Sequence, residues 1–137
     1  MNIKEVHHHL ESHDIHPSVQ RVAIMQYMTE HWNHPTVDKI YNDLLPSMPT
    51  LSKATVYNTL KLFVDKKAVN PLFIDERNVR FDADTSLHAH FKCKHCGVIS
   101  DVPLEEGDVP LFRGNSDLFL NETQVYFLGN CKNCVDI

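Results

Sequence analysis

The sequence lacks any long uninterrupted hydrophobic run. None of its 137 residues lies in an apolar stretch approaching the ~20 residues that a membrane-spanning helix requires. The first residues, MNIKEVHHHLESHD, also lack the hydrophobic segment of a secretory signal. We therefore expect a cytoplasmic protein that does not associate with membranes, with the size of one domain or two small ones.

Cysteine and positive charge are also scarce. The chain has only four cysteines, and a reducing cytoplasm favours metal ligation over disulfides for them. The net charge of -5 argues at first against nucleic acid. The acidic excess lies after residue 70, however, and residues 53–67 contain four lysines and one aspartate. Because only the contacting face must be positive, phosphate binding by this segment remains possible.

The first half of the sequence predicts helices. Apolar residues recur at helical spacing in four stretches, 3–10, 19–28, 37–44 and 56–63. Thr36 and Ser52 are suitable N-caps for the third and fourth helices, and Ser18 for the second. We interpret the three histidines at 7–9 as a solvated helix face rather than as metal ligands.

Short strands are predicted after Val69. VNPLFID and NVRFDAD flank the polar turn ERN and predict a hairpin. Helices followed by a hairpin indicate a winged helix-turn-helix whose last helix enters the major groove, although a generic helical bundle explains the helical periodicity equally well. HAHFKC, GVISDV and TQVYFLGNC predict three more strands. Gly107, Pro110 and Gly114 indicate an irregular loop at 103–117. The fold class is therefore α+β, with a domain junction near 82–86.

The four cysteines form two Cys-x-x-Cys pairs, Cys93 with Cys96 and Cys131 with Cys134. Each pair can direct both sulfurs to one ion through a tight turn, and Gly97 follows the first pair. Four thiolates make a closed tetrahedral zinc site without an open position, which predicts a structural role. Four buried apolar cysteines and a redox dithiol are the weaker alternatives.

Histidines and aspartates suggest a second metal site. His88 and His90 are two residues apart, so on a strand they face the same side and can bind one ion. Asp82, Asp101 and His34 are candidates for the remaining ligands. Each also has a plainer interpretation, as a helix cap for His34 and as a solvated turn residue for either aspartate.

Several blocks together resemble the ferric uptake regulator (Fur) family of metal-dependent repressors. These blocks are HPTVDKIYNDL, SKATVYNTLKLFVDKKAV, RFD, HAHFKCKHCGVI and GNCKNC, which follow the family order over about residues 15–134. The resemblance implies a winged-helix DNA-binding domain at 1–83 and a small α/β metal-binding dimerisation domain at 84–137 that carries the four-cysteine zinc. It further implies a homodimer and a regulatory metal at the junction, bound by His34, Asp82, His88, His90 and Asp101.

Two aspartates in this ligand set are similar to the peroxide-sensing PerR branch of the family, since iron-sensing relatives tend to have glutamates there. Asn58 also resembles that branch. Imidazole with carboxylate suits Fe(II) or Mn(II), and five ligands leave a coordination position for peroxide. The resemblance thus implies a repressor in which Fe(II)-catalysed oxidation of His34 or His88 releases the operator. A repressor that responds only to the iron or manganese level is the alternative.

The helix beginning at Ser52 offers side chains for DNA. Asparagine can pair with adenine, and threonine or tyrosine can pack on a thymine methyl, which suits an A·T-rich palindrome bound by a dimer. The candidate contacts are Ser52, Lys53, Thr55, Tyr57, Asn58 and Lys61. The apolar run at 125–128 is the candidate dimer strand. We expect no enzymatic activity. A non-haem iron oxygenase is one rival interpretation, and the DNA-reading half argues against it. A zinc-stabilised interaction module is the other, and its DNA binding would not respond to chelators that leave the four-cysteine zinc in place.

Overall fold

The computed structural model describes residues 1–109, 112, 114 and 117–136. The chain divides into two compact units, Met1–Thr85 and Ser86–Ile137. This division falls two residues after the boundary that the sequence suggested at residue 83. Across the described residues, no helix has both the length and the apolar character needed to cross a bilayer.

The first unit begins with helices that start at the expected capping residues. Their bounds are α1 Ile3–Ser12, α2 Val19–Glu30, α3 Val37–Leu44 and α4 Lys53–Asp65. Ser18, Thr36 and Ser52 have extended backbones, and each side-chain oxygen accepts a hydrogen bond from an amide in the first turn of its helix. These contacts satisfy amides that have no partner within the helix, which is why the chain enters each helix at these residues. The sequence prediction of the three caps is confirmed.

The core of this unit lies beneath α4. Val56, Leu60 and Phe63 are fully buried on one face of that helix, where they join the apolar faces of the other three helices. Tyr57 and Lys61 lie on the opposite face and are exposed. Packing therefore fixes the helix through one side and leaves its polar side at the surface.

A hairpin completes the first unit. Strands β1 (Asn70–Leu72) and β2 (Arg80–Asp82) pair antiparallel, with Asn70 opposite Asp82. Asp75 holds the connecting turn, since its carboxylate accepts from the Arg77 amide and from Arg80 Nε, both at 3.0 Å. These two contacts lower the pKa of Asp75. Helices followed by this hairpin form the predicted winged helix-turn-helix.

The second unit is a three-stranded sheet with the order β4-β3-β5. Its strands are β3 (Ala89–Cys93), β4 (Ile99–Val102) and β5 (Val125–Gly129). Strand β3 pairs antiparallel with β4 and parallel with β5. The described residues of the loop at 103–117 contain no helix or strand, as expected, and Gly107 has a φ of +92°. Pro110, which contributed to that prediction, lies outside the described residues.

Candidate metal centres and DNA-reading surface

The sheet of the second unit brings the two cysteine pairs together. Cys93 ends β3 and Cys96 lies in the turn that follows, whereas Cys131 and Cys134 follow β5. Parallel pairing places Cys93 opposite Gly129, so β3 and β5 end side by side at the same end of the sheet. The Lys94 amide donates to the Gly129 carbonyl at 2.7 Å and extends this pairing towards the cysteines.

The sulfur geometry matches a tetrahedral zinc site. The four cysteine sulfurs all lie within 4.8 Å of one another, and Cys96 Sγ is 3.8 Å from Cys131 Sγ. A zinc–sulfur distance of ~2.3 Å corresponds to a sulfur–sulfur edge of ~3.8 Å in a tetrahedron. None of the four sulfurs forms a disulfide. Gly97 has a φ of +81°, the conformation that the tight turn after Cys96 requires. The cluster fits a structural zinc ion.

The thiols within this cluster are not equivalent. Backbone amides of Cys131 and Cys96 donate to Cys93 and lower the pKa of its thiol to about 5. Burial, followed by the neighbouring sulfurs, raises the pKa of Cys134 to about 12. Four thiolates this close repel one another strongly, and a divalent cation offsets their charge.

A second donor set in the same unit comes from His88, which immediately precedes β3, from His90 on β3 and from Asp101 on β4. His88 Nε2 is 3.1 Å from His90 Nε2, and Asp101 Oδ1 is 3.5 Å from the first and 3.3 Å from the second. Asp101 is directly opposite His90 in the antiparallel register. His88 Nδ1 is 2.8 Å from the Ser86 carbonyl. A proton on Nδ1 satisfies that contact and places the imidazole lone pair at Nε2, where a metal would bind.

The first unit contributes its own pair of donors. His34 Nε2 is 3.6 Å from Asp82 Oδ2, and both side chains are buried. Asp82 ends β2, and the loop bearing His34 is attached to that strand because the Phe81 amide donates to the Pro35 carbonyl at 3.0 Å. All five regulatory ligands expected from the resemblance therefore occur in two donor sets, one in each unit. Their mixture of imidazole and carboxylate suits Fe(II) or Mn(II), unlike the thiolate cluster.

The α4 surface carries the six side chains considered for DNA, but the structure divides them by their contacts. Ser52 Oγ caps the helix and lies 2.9 Å from Thr55 Oγ1, so both hydroxyls already have partners. Lys53 pairs with Asp38 at 3.3 Å. Tyr57 and Asn58, together with Lys61, are exposed.

The hairpin carries a basic residue that sequence reasoning did not consider for DNA. Arg77 lies exposed in the hairpin turn, where a basic side chain can reach a DNA phosphate. The local signal was available, because Arg77 is the basic residue of the ERN turn. The pairing of Lys53 with Asp38 had no such signal, since the two residues come from different helices.

The first unit is a helical domain that ends in a hairpin, and both units of the chain carry metal donors. These features define the class of metal-regulated winged-helix DNA-binding proteins. The profile of the ferric uptake regulator family matches residues 12–109. The chain belongs to this family.

Two of the proteins that are similar to this chain are named for their response to peroxide. The peroxide-responsive repressor PerR of Staphylococcus epidermidis is 37% identical over 117 residues, which is 84% of this chain and 78% of that protein. The structure of PerR from Streptococcus pyogenes, described for peroxide sensing and gene regulation, is 31% identical with a TM-score of 0.54. That comparison covers 96% of this chain and 92% of the other.

The fold extends to more distant relatives. The ferric uptake regulator Fur of Helicobacter pylori, described as having three functional metal-binding sites, has a TM-score of 0.70 at 14% identity and covers 98% of this chain and 94% of its own. This similarity concerns the fold alone. The family match, the PerR relatives and the two kinds of donor set together identify the chain as a metal-responsive transcriptional repressor. Its metals are a structural zinc ion and a regulatory Fe(II) or Mn(II).

Proposed function

We propose that this repressor senses hydrogen peroxide and releases its operator DNA when one of its metal-binding histidines is oxidised. The observation that carries the proposal is the donor set at the start of β3 and on β4, where two imidazoles and an aspartate converge within 3.5 Å. The similarity to peroxide-responsive repressors supports the same conclusion.

His34 and Asp82 would bind one ion jointly with His88, His90 and Asp101. Because the first pair belongs to the DNA-binding unit and the other three to the second unit, a shared ion would restrain the hinge between the units. A ligand that favours one arrangement shifts the population towards it. We expect this arrangement to present α4 to DNA as part of a homodimer, in the cytoplasm.

The α4 side chains favour an A·T-rich palindrome. Asn58 can pair with adenine through two hydrogen bonds, and Tyr57 can pack against a thymine methyl. Lys61 would contact phosphates and contribute affinity rather than sequence preference. Two copies related by a twofold axis would read two half-sites of inverted sequence.

The histidines hold the site and also receive the oxygen. Bound Fe(II) would supply one-electron chemistry towards peroxide, and Mn(II) would not supply it in this site. His34 and His88 are the proposed acceptors: one oxygen atom of H2O2 is added to a ring carbon of either histidine and the other leaves as water, so that the two electrons lost by the ring reduce the peroxide. An oxidised imidazole is a poorer ligand, so a bound ion would dissociate and its restraint on the hinge would be lost. The protein is covalently modified in this step and does not turn over, so it is a regulator rather than an enzyme.

The test compares the Fe(II) and Mn(II) forms of the purified full chain. Peroxide given to the Fe(II) form should add the mass of one oxygen atom to the peptide that contains His34 or His88. Operator binding should fall in parallel, measured by fluorescence anisotropy on the same samples. The Mn(II) form should bind the operator and show neither change.

Asp101→Glu provides a matched variant. It keeps a carboxylate at the same position but alters how the iron is coordinated, so metal-dependent DNA binding should remain while histidine oxidation slows. Unmodified histidines after peroxide treatment of a verified Fe(II) sample would contradict peroxide sensing. A repressor that responds only to the metal level would then be the better description.

A further inference from the structure

Helix α1 carries four closely spaced histidines that neither metal centre uses. His7 and His8 are exposed, whereas His9 and the C-cap residue His13 are partly buried. The last two are separated by one helical turn and therefore lie on the same face. Their ring centroids are 4.9 Å apart with an interplanar angle of 71°.

A backbone contact orients one of these rings. His13 Nδ1 is 3.2 Å from the carbonyl oxygen of Lys66, the C-cap residue of α4. With the proton on Nδ1, the ring donates to this carbonyl and has its lone pair on Nε2. Metal-binding histidines usually have this arrangement, in which one ring nitrogen donates to a carbonyl or carboxylate and the other binds the ion.

We propose that His9 and His13 form a surface site for a divalent transition-metal ion that prefers imidazole, such as Ni(II), Cu(II) or Zn(II). Two histidines one turn apart supply adjacent ligands, and water completes the coordination. Glu5 lies one turn before His9, but its carboxylate caps the helix through Asn2, at 3.4 Å to the amide and 3.2 Å to Nδ2. The proposed protein ligands are therefore the two imidazole nitrogens.

The ligand chemistry separates this site from the two others. The four-cysteine cluster offers thiolates, and the β3–β4 donors combine imidazole with a carboxylate that suits Fe(II) or Mn(II). A pair of imidazoles follows the general order of divalent affinities, which favours Ni(II) and Cu(II) over Mn(II) and Fe(II). The α1 site would thus respond to ions other than the proposed regulatory ones.

An ion at this site would also stabilise the first unit. His13 joins the end of α1 to the end of α4, and Lys66 forms an ion pair with Asp14 at 3.3 Å across the same junction. Because a ligand that binds the folded state raises its stability, the added ion should raise the unfolding temperature of the protein.

The test is a titration of the zinc-loaded full chain with Ni(II), followed by calorimetry and by paramagnetic broadening of the histidine ring resonances. Wild-type protein should show broadening of His9 and His13 and a class of sites that His9→Ala and His13→Ala weaken by about tenfold or more, since the loss of even an outer-shell partner costs ~10–100-fold. His7→Ala and His8→Ala remove exposed histidines from the same helix and should bind Ni(II) like the wild type.

Circular dichroism should show unchanged helix content in all four variants, since alanine favours helices. Equal Ni(II) binding by His9→Ala and wild type would overturn the proposal, as would an equal loss in His8→Ala. Operator binding with Mn(II) should be the same in His9→Ala and wild type. This control separates the α1 site from peroxide sensing, because either can fail without the other.

Discussion

His34 has a backbone φ of 55°, in the left-handed region, although it precedes a proline. Residues before proline ordinarily adopt extended conformations, and a non-glycine residue in the left-handed region costs about 1–3 kcal/mol. The conformation is held by Arg80, whose guanidinium donates to the His34 carbonyl at 3.3 Å. Strain of this kind concentrates at functional sites. At His34 it accompanies a buried imidazole placed beside Asp82, which agrees with the ligand role proposed for it.

Single residues also decide whether the thiolate cluster closes. Cys96→Ser should remove most of the zinc and destabilise the second unit, because three thiolates bind the ion far more weakly. Structural zinc contributes on the order of 10 kcal/mol of binding free energy in zinc-finger peptides, which becomes folding free energy. Elemental mass spectrometry measures the loss of zinc, and thermal unfolding measures the loss of stability.

His95→Ala is the matched control, since His95 is an exposed residue of the same turn. It should retain zinc and the wild-type unfolding temperature. Full zinc occupancy in a dimeric Cys96→Ser protein would show that the four-cysteine assignment is wrong.

Helix α4 combines two functions on opposite faces. Its buried residues attach it to the core, while Tyr57 and Asn58 remain at the surface. The contacts at the start of the helix have a further consequence for DNA binding. Lys53 lies 5.7 Å from the centre of the Tyr41 ring and pairs with Asp38, so a phosphate would have to replace an existing partner there. Lys61 lies about two turns further along α4, where it is exposed, and it is better placed to contact a phosphate.

Substitutions on α4 should therefore separate specificity from affinity. Asn58→Ala should cost ~1–3 kcal/mol on the cognate operator and relax the preference at one base pair, because a base contact is lost. Lys61→Ala should weaken binding to all sequences alike and reduce the salt dependence. Anisotropy titrations on cognate and unrelated duplexes at several salt concentrations measure both.

Lys4→Ala, which removes an exposed lysine from α1, serves as the control and should bind like wild type. If Asn58→Ala kept normal affinity and normal base preference, α4 would not be the helix that reads the groove.

At the level of the whole molecule, the outer strand β5 is the candidate dimer strand. It pairs only with β3 among the strands of the described residues. Phe127 and Leu128 on this strand are 47% and 61% exposed. An exposed apolar edge strand is a site for pairing with another chain, and members of this family act as dimers.

Leu128→Asp should shift the protein from dimer to monomer. The apolar side chain contributes ~1.5–3 kcal/mol when buried, and a charge at the same position opposes association, so the dimer dissociation constant should rise about tenfold or more. Sedimentation velocity over a concentration series measures the change.

Val19→Asp is the matched control, because Val19 is an 82% exposed apolar residue on α2. It should remain dimeric. A Leu128→Asp protein that stays dimeric at all concentrations would exclude β5 from the interface. Operator binding should weaken together with dimerisation, since each copy reads only one half-site.

Several features of this protein were predictable because they depend on neighbouring residues. Capping by Ser18, Thr36 and Ser52 follows from side chains that reach amides three residues away. The two Cys-x-x-Cys turns and the pairing of His88 with His90 are equally local. The resemblance to the family added the other residues of the proposed ligand set.

Other features required the tertiary structure. The strand period could not decide which way Asp101 faces, and the β3–β4 register places it opposite His90. The left-handed backbone of His34 and the contact of His13 with the Lys66 carbonyl also have no local sequence signal. Each depends on residues far apart in the chain, and only packing and strand pairing decide which distant groups become neighbours.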